Sequence, residues 1–239
     1  MSNALSTFLG AAGALTKPTD FAKALSGHVR TAAPASVDGS FLKLHTDGFW
    51  CYGAAEDRIA EDSVFAVNPM SLQVGYCAWR DNVKIQEHMA PIGGDVIVVE
   101  DLPQDLGEHT KPKDRAGQKV SYDPQIAVSV QGIEGADQGL KLVYNTTSHG
   151  GRSAITGLME EVSKRAEQDP EFFIPLIRLE MGDYYNKTYN KTVYTPTFEV
   201  VGWGNVNGQK APDTTPKKRQ RAKSAPVEET PVRRRRRVA

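Results

Sequence analysis

The chain is poor in the residues that most often mark a catalytic, metal-binding or membrane protein. Only Cys51 and Cys77 are cysteine among 239 residues, and with no CxxC pair or Cys/His cluster neither a zinc site nor a disulfide framework is indicated. Two free thiols are expected, with one bridge between them as the alternative. The five histidines, His28, His45, His88, His109 and His149, are scattered, and neither HExxH nor GxSxG occurs. Glu160 and Glu161 occupy neighbouring helix positions that point in different directions, so they do not form an acid–base pair. Asp57, Glu61 and Asp62 suit a solvated loop better than a cation site. No enzyme activity, cofactor or metal is expected.

Long apolar runs are also missing. The stretch from Ala4 to Leu15 is short, interrupted by Gly, Ser and Thr, and has no basic region before it, so it fits neither a signal peptide nor a membrane span. A cytoplasmic protein without a membrane partner is the expectation. The Asn-x-Thr matches at Asn145, Asn186 and Asn190 then carry no glycosylation meaning.

What is present divides by charge. The formal net charge is zero, yet residues 209–239 hold 11 Lys/Arg against 3 Asp/Glu, which leaves 18 against 26 in residues 1–208. An acidic body is therefore joined to a basic tail. From Gln209 onward large apolar residues are almost absent, so burial cannot offset the entropy of ordering, and a disordered tail over 208–239 is predicted. Residues 1–35, rich in Ala, Gly and Ser, read as a flexible arm with a short helix from Asp20 to His28. Residues 36–207 read as the globular core.

Strand signals dominate that core. Phe41–Leu44 and Phe49–Gly53 flank Thr46-Asp47-Gly48, whose Asp-Gly supplies the positive-φ position of a hairpin turn. Val64–Val67, Gln73–Trp79, Val83–His88 and Val96–Glu100 continue the pattern. Residues 102–119 mix Pro, Gly and charge without periodicity and read as a long exposed loop, the place where two subdomains would part. Ile126, Val128 and Val130 alternate, as do Leu140, Leu142 and Tyr144, giving a second hairpin. One helix is predicted over Ser153–Gln168, with Ile155, Leu158, Met159, Val162 and Ala166 on its apolar face. Phe172–Leu179 and Val193–Trp203 supply two more strands, and Pro196 places the last of them on an edge. The sum is an α+β, β-rich chain with one main helix, suited to a partly open barrel of the oligonucleotide-binding kind.

Three features point to nucleic acid. The tail carries Lys217, Lys218, Arg219, Arg221, Lys223 and the run Arg233, Arg234, Arg235, Arg236 and Arg237, able to neutralise phosphates with no sequence preference. Residues 183–194 interleave Tyr184, Tyr185, Tyr189 and Tyr194 with Lys187 and Lys191, and rings for bases beside cations for the backbone are what a single strand needs. Strand alternation would send only some of those rings to one face. At the mouth of the helix, Ser148-His149-Gly150-Gly151-Arg152 could cradle an anion beside Arg152, although it lacks the Gly-Lys-Ser/Thr ending of a P-loop and better suits a plain Gly-rich connection into a capped helix.

Three stretches carry a family likeness: Trp50-Cys51-Tyr52-Gly53-Ala54; Val67-Asn68-Pro69-Met70-Ser71-Leu72 with Gly75-Tyr76-Cys77-Ala78-Trp79; and Tyr194-Thr195-Pro196-Thr197-Phe198-Glu199-Val200-Val201-Gly202-Trp203. Through them the chain resembles, from Phe41 to Trp203, a family of tailed-phage and prophage proteins placed among replication and recombination functions. The resemblance implies a phage accessory protein acting on DNA in the cytoplasm of an infected or lysogenic host, similar in role to single-strand-binding proteins. Familiar bacterial single-strand-binding proteins end in an acidic tail, whereas this chain ends in arginines. No residue role is carried over from the family.

The expected function is sequence-independent binding of single-stranded DNA, with duplex DNA or RNA engaged through the tail and with replication or recombination proteins or a second copy as further partners. The competing readings are a virion or internal structural protein that uses the tail on DNA, a recombination accessory factor that chiefly binds another protein and, last, an enzyme with an unfamiliar site.

Overall fold

In a computed structural model, residues 40–111, 115–188 and 190–212 are described. The arm over 1–35 and the tail cations from Lys217 to Arg237 lie outside them. Among the described residues nine strands form a single sheet: β1 (Ser40–Leu44), β2 (Trp50–Tyr52), β3 (Asp57–Arg58), β4 (Val64–Arg80), β5 (Val83–Pro91), β6 (Tyr122–Glu134), β7 (Lys141–Thr146), β8 (Ile174–Asn186) and β9 (Lys191–Gly204). One helix, α1 (His149–Gln168), enters between β7 and β8. The strand order is β3-β2-β1-β7-β6-β4-β8-β9, with β5 on β4, and the two ends of this path are not paired with each other. The protein is therefore β-rich, with one main helix and an open sheet. Among the described residues no helix is long and apolar enough to cross a membrane.

Alternation assigns the faces. Leu42, Trp50, Phe65, Val67, Ile126, Val128, Val130, Leu142 and Tyr144 all point to one side, where they meet Ile155, Leu158, Met159 and Val162 of α1 in the main core. The helix buries the five residues predicted for its apolar face. Its start differs: α1 begins at His149, four residues before the predicted Ser153, because the Ser148 hydroxyl accepts the Gly151 N–H and caps the first turn.

Strand β4 is the spine. It pairs with β6 along one edge and with β8 and then β5 along the other, so the strands on both sides of residues 102–119 belong to one sheet. The two predicted segments Val64–Val67 and Gln73–Trp79 are one strand interrupted by a bulge between Asn68 and Gln73. Pro69 has no N–H to give there, and within the bulge the Ser71 hydroxyl takes the place of a backbone acceptor, accepting from Ser129 N at 2.8 Å while donating to Asn68 O of its own strand at 2.7 Å.

Val96–Glu100 is not a strand. A 3-10 turn occupies Val99–Asp101, and the Gln104 amide donates to the Val99 and Leu102 carbonyls that a ladder would need. The loop beyond it is held to the sheet: Leu106 and Val120 pack with Ala78, and the Asp81 carboxylate accepts from the Thr110 and Lys111 amides, each at 2.8 Å. At the C-terminal end the body continues past the predicted boundary. Ala211 N donates to Trp203 O at 2.8 Å, and Lys210 pairs with Glu134.

Candidate nucleic-acid interface

The tyrosine-rich segment is the end of the β8–β9 hairpin rather than a connection between strands. Thirteen paired positions run from Ile174↔Gly204 to Asn186↔Lys191, and the predicted strand ends at Leu179 and Val193 fall well inside that ladder. The turn is made by an Asn186 side chain that accepts from Thr188 N at 3.0 Å and by Asn190 at φ +50°. Asn and Asp adopt positive φ more readily than other non-glycine residues, so the local sequence suits a tight reversal.

Register sorts the rings. Tyr185 faces the same way as Thr192, Tyr194 and, further down the hairpin, Phe198, whose ring packs 5.6 Å from Tyr144 and 5.9 Å from Trp50. Tyr184 shares the opposite face with Val193 and Lys191. Both Tyr184 (51% exposed) and Tyr185 (58% exposed) are open to solvent, and the Tyr185 hydroxyl donates to Asn190 Oδ1. Lys187 and Lys191 are exposed beside them. Tyr194 is half-buried against the β1–β2 turn, and Tyr189 lies outside the described residues.

The hairpin is anchored near its middle. The Trp50 indole N–H donates to Glu180 O at 3.0 Å, and the Tyr194 ring lies so close to Gly48 that a Cβ there would sit 2.6 Å from it. The start of α1 abuts the same hairpin, since a Cβ on Gly150 would meet Thr195 Cγ2 at 3.2 Å.

Arg152 is held in this region through one of its donors. Its Nε donates to Thr147 O at 3.2 Å, the neighbouring Gly151 N–H is taken by Ser148, and a Cβ on Gly151 would lie 2.6 Å from the Tyr144 hydroxyl. The two glycines thus serve close packing of the helix against β7 and β9. The hydroxyl of Tyr144 bonds Thr146 within the core, and burial raises its pKa to about 12.

Three further aromatic and cationic pairs were not foreseen from the sequence. Lys84 Nζ lies 5.5 Å from the Trp79 ring centroid, Arg58 lies 3.9 Å from that of Phe49, and Arg165 lies 5.7 Å from that of Trp203. The first was legible, since Asp81-Asn82 form a two-residue turn with positive φ at both positions, which sets Trp79 opposite Lys84. The second depends on the pairing of the very short β3 with β2.

Other chemistry is not assembled. Cys51 and Cys77 are free and buried, and burial pushes both thiols above their ordinary pKa. Among the described residues no group of three or more His, Cys, Asp or Glu converges on a point that could hold a metal. Comparison of the chain with protein-family models, curated proteins and solved structures found no match.

Proposed function

We propose that this protein binds single-stranded nucleic acid, DNA foremost, without sequence preference and without chemistry on it, as an accessory factor in phage DNA replication or recombination. The observation that carries the reading is the β8–β9 hairpin end, which holds two phenol rings more than half exposed beside Lys187 and Lys191. Stacking on an aromatic ring is tolerant of base identity, and ammonium groups beside it neutralise the phosphates between stacked bases.

Strand order lends further support. The path β7-β6-β4-β8-β9, with a helix between β7 and β8, follows the order of an oligonucleotide-binding barrel. In that architecture the hairpin after the helix is one of the two loops that grip the strand. On this reading the tyrosine hairpin is the counterpart of such a loop. The body is acidic overall, so its affinity has to come from this local cluster, with the tail arginines adding a salt-sensitive, sequence-blind term.

The test is a gel-shift series with oligo-dT and duplex probes, using the full chain and a chain ending at Pro212, across a range of salt. A stacking interface retains part of its oligo-dT affinity without the tail and prefers the single strand. Loss of nearly all binding on truncation, with no preference between probes, would place the activity in the tail and defeat the proposal.

A further inference from the structure

The outer face of β1, β2 and β3 carries a guanidinium with no carboxylate partner among the described residues, next to the β1–β2 turn that the tyrosine hairpin touches. Pairing of Cys51 with Arg58 and with Lys43 puts Arg58 on the sheet face opposite Leu42 and Trp50, the face that Phe49 shares. There the Arg58 guanidinium stands over the Phe49 ring at 3.9 Å, and His45 stacks on the same ring at 4.5 Å with planes 21° apart.

The acids nearby are engaged elsewhere. Glu56 is held by Lys43 at 2.8 Å and faces His45 at 3.6 Å, while Asp47 lies 3.5 Å from His45. Asp57 alternates to the other face. Among the described residues no carboxylate comes within ion-pair distance of Arg58, and its side chain is exposed. An arginine braced on a ring has already lost much of its side-chain freedom, and its fork of N–H donors matches phosphate oxygens.

This group lies on the other face of the sheet from the tyrosines and is reached from them around the β1–β2 turn. Tyr185 and Tyr194 share one face, the Tyr194 ring lies on Gly48, and Gly48 adjoins Phe49. We propose that Arg58, held by Phe49, is the next contact for the nucleic-acid backbone beyond Tyr185 and Tyr194, so that the bound strand passes over the β1–β2 turn. This inference rests on the single-strand-binding reading above and extends its path onto β1–β3.

The experiment measures binding of the full chain to fluorescent oligo-dT between about 50 and 200 mM salt. Arg58→Gln is expected to weaken binding roughly tenfold, as for one charge-assisted contact, and to make the logarithmic salt dependence shallower by about 0.7. Arg58→Lys keeps the slope but recovers only part of the affinity. Phe49→Leu, which removes the brace, weakens binding with the slope retained. Arg178→Gln, an exposed arginine on β8 away from this path, serves as the control and leaves affinity unchanged. Thermal unfolding verifies that each variant is folded.

If Arg58→Gln matches the wild type, or falls no further than Arg178→Gln, while Tyr185→Ala weakens binding, the Arg58 contact is wrong and the tyrosine reading stands. If oligo-dT is not bound, or Tyr185→Ala is also without effect, both fall together.

Discussion

The indole N–H of Trp50 on β2 donates to the backbone carbonyl of Glu180 on β8, 3.0 Å away and 130 positions along the chain. It joins the two regions that the open sheet leaves unpaired and steadies the hairpin short of its tyrosines. Trp50 is buried, so Trp50→Phe leaves the carbonyl without its partner and is expected to cost about 1–3 kcal/mol. Urea unfolding monitors the loss, and hydrogen exchange should quicken in β8 near Glu180 before it does in β4.

Gly48 meets two constraints at once. Its φ is +78°, and any Cβ would run into the Tyr194 ring. Gly48→Ala is expected to destabilise by more than about 1 kcal/mol. Adding Tyr194→Ala removes the clash but not the backbone strain, so the double variant should be more stable than the sum of the two single losses predicts, as a thermal-denaturation cycle reads directly.

Asp81 fastens the loop that follows β5. Hydrogen bonds from the Thr110 hydroxyl and the Lys111 and Thr110 amides lower its pKa from 3.8 to about 2. A depressed carboxylate pKa stabilises the folded state above the ordinary value and loses that contribution as pH falls through the lowered one. Exchange of the amides at Thr110 and Lys111 should therefore gain protection from Asp81 at neutral pH, and Asp81→Ala should remove it. Between about pH 4 and pH 2 the difference between wild type and variant should shrink towards zero.

At the hairpin end, Tyr185→Ala should weaken oligo-dT binding by about 1–3 kcal/mol, the worth of one stacked base, whereas Tyr185→Phe should keep most of the affinity because the ring remains. Fluorescence anisotropy on the full chain distinguishes the two. An equal loss in both variants would assign the role to the hydroxyl and its bond to Asn190 instead.

Much of the frame was legible because local chemistry and burial agreed. Asp47-Gly48 announced the first hairpin, and the apolar stripe from Ile155 to Ala166 fixed the buried face of the helix. The failures have local causes of another kind. At Val96–Glu100 strand propensity was overridden when Gln104 captured the carbonyls, and at His149–Gly151 two glycines that resemble a loop are the price of bringing α1 against Tyr144 and Thr195. Alternation foretold that the tyrosines would divide, but only the packing of Phe198 says which of them share the core-facing side. Arg58 on Phe49 was invisible for a different reason: β3 is two residues long and carries no pattern of its own.

Pro196 sits within β9, the strand at the free edge of the sheet. Having no amide hydrogen, it interrupts the row of donors that a second polypeptide would need in order to lie alongside and lengthen the sheet. Neighbouring copies are thereby kept from zipping into a continuous ribbon through this margin, and whatever association they make there has to be built from side chains.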